Sequence, residues 1–126
     1  MRRILFFVSL VLVLTPKLSS ATEADVGPLT IETIAILGVG FGQHKDGNIE
    51  IRTSGFTMAP PGTPGSLNCP DHKYITTLQT AKSYSYIVNL LTVAQTTGAS
   101  VSLRLSDDPA LNAFPGRCSI TGVQLN

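Results

Sequence analysis

The sequence predicts a mainly β domain with one helix. Three observations lead there. Short segments in which apolar and polar residues alternate recur along the chain, as they do in half-buried strands. One longer run, 81–97, contains neither Pro nor Gly and carries Ile87, Leu90, Leu91 and Ala94 at helical spacing. Stretches dense in Pro, Gly and Asp separate these segments and read as turns. Five strands with the helix between the third and the fourth, in the order β-β-β-α-β-β, fit a small closed Greek-key barrel of the OB-fold type.

Residues 22–28 form a polar leader that ends in Gly27-Pro28. The first strand is expected over 29–39, where Leu29 and Ile31, then Ile34 and Ile36, alternate with polar or β-branched neighbours. Gly38, Gly40 and Gly42 follow at every second position and suggest a bent or bulged strand end. They do not make a phosphate-cradling loop, because the pattern is G-x-G-x-G and residues 43–48 do not open a helix. Asp46-Gly47 is a hairpin signal, since Gly accepts positive φ and Asp tolerates it. The second strand, 48–53, sets Ile49 and Ile51 on one face and Glu50 and Arg52 on the other. Residues 58–65 hold three Pro and two Gly and form an irregular loop. The third strand is expected over 73–78. The helix, 81–97, has Thr80 or Ser83 as its N-cap and Gly98 where a C-terminal cap belongs. The fourth strand, 99–106, points Val101, Leu103 and Leu105 inward, and Asp107-Asp108-Pro109 ends it. The fifth covers 118–125.

The totals agree with a single domain of 126 residues, 43% hydrophobic and 13% charged. A charged fraction about half the roughly 25% usual for soluble domains disfavours disorder, which needs high charge and few apolar residues. Nine Lys and Arg against eight Asp and Glu leave no electrostatic footprint for nucleic acid. The N-terminus reads as a secretory signal peptide. Arg2 and Arg3 open it, residues 4–14 are apolar except for Ser9, Pro16 breaks the run, and Ser19-Ser20-Ala21 supply small residues. An apolar run of about eleven residues is short of the roughly 20 that span a bilayer. Residues 1–21 are therefore expected to be cleaved, with a cut after Ala24 as the second choice. Residues 22–126 then form one exported domain, periplasmic or extracellular, with no membrane span. Removing Arg2, Arg3 and Lys17 leaves six basic and eight acidic side chains, a net charge near −2.

Export to an oxidising compartment favours a disulfide between the two cysteines, Cys69 and Cys118. It would close a loop of about 50 residues and stabilise the fold by about 4 kcal/mol in the chain-entropy model. Two free thiols or a redox site are the alternatives, but the spacing is far from C-x-x-C.

Few residues suggest chemistry. His44 and His72 both adjoin expected turns and read as exposed loop histidines. No G-x-S-x-G motif marks a nucleophile. Asp107 and Asp108 are adjacent, so on an extended chain they point apart and do not imply a glycosidase pair. Asp71 and His72 could form a local pair, with nothing linking them to a nucleophile. No catalytic residue, metal site or cofactor is expected, and the chain is not read as an enzyme. Asp25, Thr30 and Glu32, with Thr33, are the polar residues on or near the first strand that could line a shallow sugar site. Tyr74, after the Cys69 loop, is an aromatic candidate for the same role. The helix has almost no charge, with Lys82 its only ionised side chain, and Tyr84, Val88 and Val93 lie partly outside its apolar stripe. A helix apolar on more than one face is usually buried on more than one face. Packing on the core and on a neighbouring subunit would do this, as would a deep core within one chain.

The run Tyr84-Ser85-Tyr86-Ile87-Val88-Asn89-Leu90-Leu91-Thr92-Val93-Ala94-Gln95-Thr96-Thr97-Gly98, then Val101-Ser102-Leu103-Arg104-Leu105 and later Cys118, resembles the B subunit of subtilase cytotoxin and related small secreted bacterial proteins. The likeness covers residues 84–122 in pattern and the mature chain in layout. It implies an OB-fold subunit that assembles into a homopentamer with its helices lining a central pore. Tyr84, Val88, Leu91 and Gln95 are then the candidates for that pore or subunit interface. It also implies recognition of host cell-surface glycans and a separate enzymatic A subunit. Asp25 and Thr30 are the counterparts of the toxin's acidic and hydroxyl sugar contacts. The toxin's aromatic sugar contact after the helix has no counterpart, because Leu103-Arg104-Leu105 stands there, so sialic acid is not implied. The competing expectation is a stand-alone secreted or periplasmic OB-fold module that binds or inhibits a protein.

Overall fold

The computed structural model describes residues 21–38, 42–45, 47–60, 63 and 66–126. The expected signal peptide lies, but for Ala21, outside the described residues, as do Gly40 and Asp46 of the expected turn signals. The element order is β1 (Glu23–Leu29), β2 (Ile31–Leu37), β3 (Asn48–Thr53), β4 (Asp71–Leu78), α1 (Tyr84–Thr97), β5 (Val101–Ser106) and β6 (Arg117–Leu125). The strands form one mixed sheet in the order β1-β5-β6-β4-β3-β2. All ladders are antiparallel except β4 with β6.

Two expectations are corrected. The sheet has six strands, and it is not a closed five-stranded barrel: β1 and β2 are its two edges and do not pair with each other. The stretch 22–28, read as a leader, supplies β1. Ala24 and Val26 are half-buried while Glu23 and Asp25 face out, which is the period-2 pattern of a strand. Gly27 and Pro28 interrupt the ladder to β5, where the register shifts between Val26 and Leu29. An edge strand tolerates such a break because one side of it has no hydrogen bonds to lose.

The expected first strand divides at Thr30. Leu29 pairs with Val101 of β5, and Ile31 pairs with Thr53 of β3. Thr30 sits between the two ladders, held by Ser54, whose N–H donates to the Thr30 carbonyl at 3.0 Å and whose Oγ accepts the Thr30 N–H at 3.2 Å. β2 and β3 are neighbours as expected, joined by residues 38–47 with Gly47 at φ 60°.

One core serves the described chain. Leu29 and Ile31 from the two edge strands meet Ile51, Ile75, Leu103 and Ile120 in a single cluster. The sheet must therefore curl, since a flat one would hold its edges about five strand spacings of 4.8 Å apart. α1 packs on both β2 and β6 and buries Ile87, Leu91 and Ala94. Of the two expected N-caps the structure uses Ser83, without a side-chain capping bond, so 81–83 is a turn and the helix begins at Tyr84 instead of Ala81. Its end is as expected, with Gly98 left-handed at φ 73°. Leu91, a candidate for the subunit face, belongs to the core, because it is fully buried beneath the helix. Cys69 and Cys118 form the disulfide, both buried, with Cα atoms 5.4 Å apart. Such a bond fits an oxidising environment. Among the described residues no helix is long and apolar enough to cross a membrane.

Candidate functional site

The outer face of β1, β5 and β6 is built from the polar half of three alternating strands. In register, Asp25 stands beside Arg104, and Arg104 beside Gly122. The guanidinium grips the carboxylate with two bonds, Nε to Oδ1 at 2.9 Å and Nη2 to Oδ2 at 2.8 Å. Gly122 places no side chain beside the pair; a Cβ there would make an ordinary contact, 3.4 Å from the Arg104 Cβ. The hydrogen bond from Arg104 holds the Asp25 carboxyl below its usual range, and the same bond raises the Arg104 guanidinium. Around the pair lies a shallow cleft of about 590 Å³, completed by Ser102, Thr121 and Gln124. Both charged groups are more than half exposed, so the cleft offers a preset array of donors and acceptors to a ligand from solvent.

The other sugar candidates lie elsewhere. Glu32 is on the opposite edge strand, where its Oε2 meets Arg52 Nε at 2.7 Å. Thr30 lies at the junction of the two edges. Tyr74 is on β4, beside Arg52 in register, with the Arg117 guanidinium 4.8 Å from its ring centre. The structure thus groups Glu32, Arg52 and Tyr74 along one row across β2, β3 and β4, and leaves Asp25 apart from them. Of the helix candidates, Gln95 is exposed and donates from Nε2 to the Glu32 carbonyl at 3.3 Å, while Tyr84 and Val88 are half-buried.

A second polar cluster, invisible to sequence reasoning, sits on the outer face of β3, β4 and β6. Arg117 bonds Asp71 from Nε to Oδ2 at 3.0 Å and also pairs with Glu50. Its guanidinium lies between two rings, 4.1 Å from the centre of Phe114 and 4.8 Å from that of Tyr74. His44 joins Glu50 at 3.3 Å and packs on Phe114 with ring centres 4.6 Å apart. His44 is therefore not the exposed loop residue expected from sequence, and its side chain is 7% accessible. His72, by contrast, lies on a strand, β4, stacked on Phe56. Asp71 pairs with Arg117 and with its own strand's backbone rather than with His72. Partial burial pushes its carboxyl up, but the N–H groups of Tyr74 and Lys73 and the Arg117 guanidinium outweigh this and hold it below its ordinary value. In this cluster two carboxylates share the one Arg117 cation. Together with the Lys45 N–H bond to the Ala113 carbonyl at 2.9 Å, the cluster clamps loops 42–45 and 107–116 onto the sheet.

Asp107, expected to end a strand, ties down both neighbouring segments. Its carboxylate accepts from the N–H of Thr22 at 2.6 Å and of Asn68 at 2.9 Å. Among the described residues no three His, Cys, Asp or Glu side chains group as metal ligands. Comparison of the chain with protein-family models, with curated proteins and with solved structures finds no match.

Proposed function

We propose that the chain is a secreted, non-enzymatic binding subunit of the toxin-B type. In this reading it assembles into a homopentameric ring, recognises a host cell-surface glycan and carries a separate enzymatic A subunit. The observation that carries the reading is the outer side of α1. Over its 14 residues the helix has no ionised side chain, and it leaves Tyr86 73% and Val93 46% exposed. The water-facing side of a helix is normally charged or polar, and here Tyr86 and Val93 stand among the exposed Ser85, Asn89, Thr92, Gln95, Thr96 and Thr97. Ile36, 75% exposed on the edge strand β2 that α1 packs against, is another large apolar side chain left to water. Among the described residues the outer edges of β1 and β2 pair with no further strand, and this is the second support, because strand edges are normally covered or paired.

The OB-type reading rests on strand order. If β1 and β2 are counted as halves of one strand bent at Thr30, the chain has five strands, the helix falls between the third and the fourth, and the covalent link at Thr30 joins the two ends of the sheet. The resemblance supplies the pentamer, the A subunit and the glycan. The cleft around Asp25 and Arg104 is the surface best suited to the glycan, because its polar side chains face solvent in fixed positions. The disulfide and the N-terminal sequence pattern support secretion.

Sedimentation velocity of the oxidised protein at micromolar concentration tests the assembly. The native chain is expected to sediment as an oligomer. Val93→Lys is expected to sediment as a monomer with an unchanged circular dichroism spectrum. A native chain that sediments as a monomer defeats the reading.

A further inference from the structure

The parallel ladder between β4 and β6 runs from Asp71 and Arg117 to Thr76 and Ser119 and ends there. Beyond it the chain leaves β4 through 79–83 into α1, while β6 continues along β5. The two strands part, and a cavity of about 260 Å³ opens between them. Thr77 and Ile120, both almost fully buried, are among its lining residues. Leu78 and Ala81 line it from the β4 end, and Ala110 and Leu111 from the 107–116 loop. Leu111 is 37% exposed, one of the few large apolar side chains left to water. The loop bearing it is held in place, since Ser119 Oγ donates to the Leu111 carbonyl at 2.7 Å and the Leu111 N–H donates to the Asp108 carbonyl at 3.0 Å.

The polar groups around this apolar space have one sign. No Asp or Glu lines it, and Lys82 is its single cation. Among the described residues Lys82 makes no ion pair. Three of the lining hydroxyls have their protons committed: Ser119 to Leu111, Thr77 to the Thr76 carbonyl at 2.9 Å, and Thr121 to the Arg104 carbonyl at 3.4 Å. The donors left for a ligand are the Lys82 ammonium and the hydroxyls of Thr80 and Ser83 beside it. A donor set with a positive charge selects an acceptor head with a negative one. For size, an apolar cavity of about 150 Å³ accepts benzene, so this one suits a ligand of about ten non-hydrogen atoms.

We propose that the cavity between β4 and β6 binds a small monocarboxylate with an apolar body, the carboxylate at Lys82 and the body against Leu78, Leu111 and Ile120. This site lies apart from the Asp25–Arg104 cleft and stands or falls independently of glycan recognition.

The test is a titration of the oxidised, isotope-labelled protein with octanoate, followed by amide chemical shifts, with 1-octanol and octylamine as probes of the head group. Octanoate is expected to give saturable shifts confined to 77–83 and 110–121. It is expected to bind at least about threefold more tightly than 1-octanol, the factor an exposed charge pair supplies, and octylamine more weakly than either. Lys82→Gln, an exposed substitution that leaves the core untouched, is expected to erase the preference for octanoate over 1-octanol while retaining the apolar contact. The proposal is overturned by the absence of saturable shifts at these residues up to about 10 mM, far above the affinity a well-formed pocket gives a ligand of this size. It is equally overturned by octylamine binding as well as octanoate, or by a preference that survives Lys82→Gln.

Discussion

Gly27 lies where the ladder of β1 against β5 shifts register. Its φ is 146°, and a Cβ there would stand 2.8 Å from the Ser102 Cα and 2.9 Å from the Val101 carbonyl oxygen. Both obstacles are backbone and cannot swing aside. Gly27→Ala is therefore expected to cost about 2 kcal/mol or more, the scale of forced backbone strain, and to lower the midpoint of urea unfolding. A midpoint equal to that of the native chain would show that β1 can move away from β5. Asp71 makes a prediction in pH. Its carboxyl is held below the ordinary value of 3.8 in the folded chain, so its contribution to stability is present above that value and is lost as pH falls through the folded one. Asp71→Asn is expected to be less stable than the native chain at neutral pH. The gap should narrow as unfolding is measured at successively lower pH below about 4. A gap of constant size would mean that the Arg117 cluster does not depend on the Asp71 charge.

At the scale of elements, local signals were readable and distant ones were not. β5 alternates cleanly and its three inward residues are fully buried. The helix announced itself by 14 residues free of Pro and Gly, and Gly98 marked its end. The disulfide followed from having only two cysteines. β1 was missed because Gly27-Pro28 looks like punctuation, while its pairing partner lies some 80 positions away, as Glu23 with Ser106 shows. The Arg117 cluster was missed for the same reason: His44, Glu50, Asp71 and Arg117 come from a loop and three strands that only the β3-β4-β6 order brings together. Of the sugar candidates, sequence alone could place Asp25, Thr30 and Glu32 along one stretch. It could not show that the chain changes sheet edge at Thr30 and carries Asp25 and Glu32 to different neighbours. Arg104, named in the sequence only within the strand after the helix and given no role in a site, is the side chain that organises the cleft. Arg104→Ala is expected to abolish glycan binding on an array with little change in melting temperature, because the residue is exposed. Retained binding would move the glycan site off the β1-β5-β6 face.

At the scale of the molecule, a six-stranded sheet with a single core leaves, among the described residues, three surfaces without cover: the outer side of α1, the edge of β1 and the edge of β2. A domain of about a hundred residues buries only roughly two-thirds of its unfolded surface, and the disulfide compensates within the chain. Assembly would compensate between chains and would bury the exposed Tyr86, Val93 and Ile36. It would also repeat the Asp25–Arg104 cleft around a ring, where linked weak sites gain avidity of the order of 10²–10⁴. The mass of the oxidised protein under native conditions tests this most directly. Native mass spectrometry is expected to show a dominant species of five subunit masses at micromolar concentration. A dominant species of one subunit mass would contradict it, and α1 would then be a helix whose apolar flank faces water.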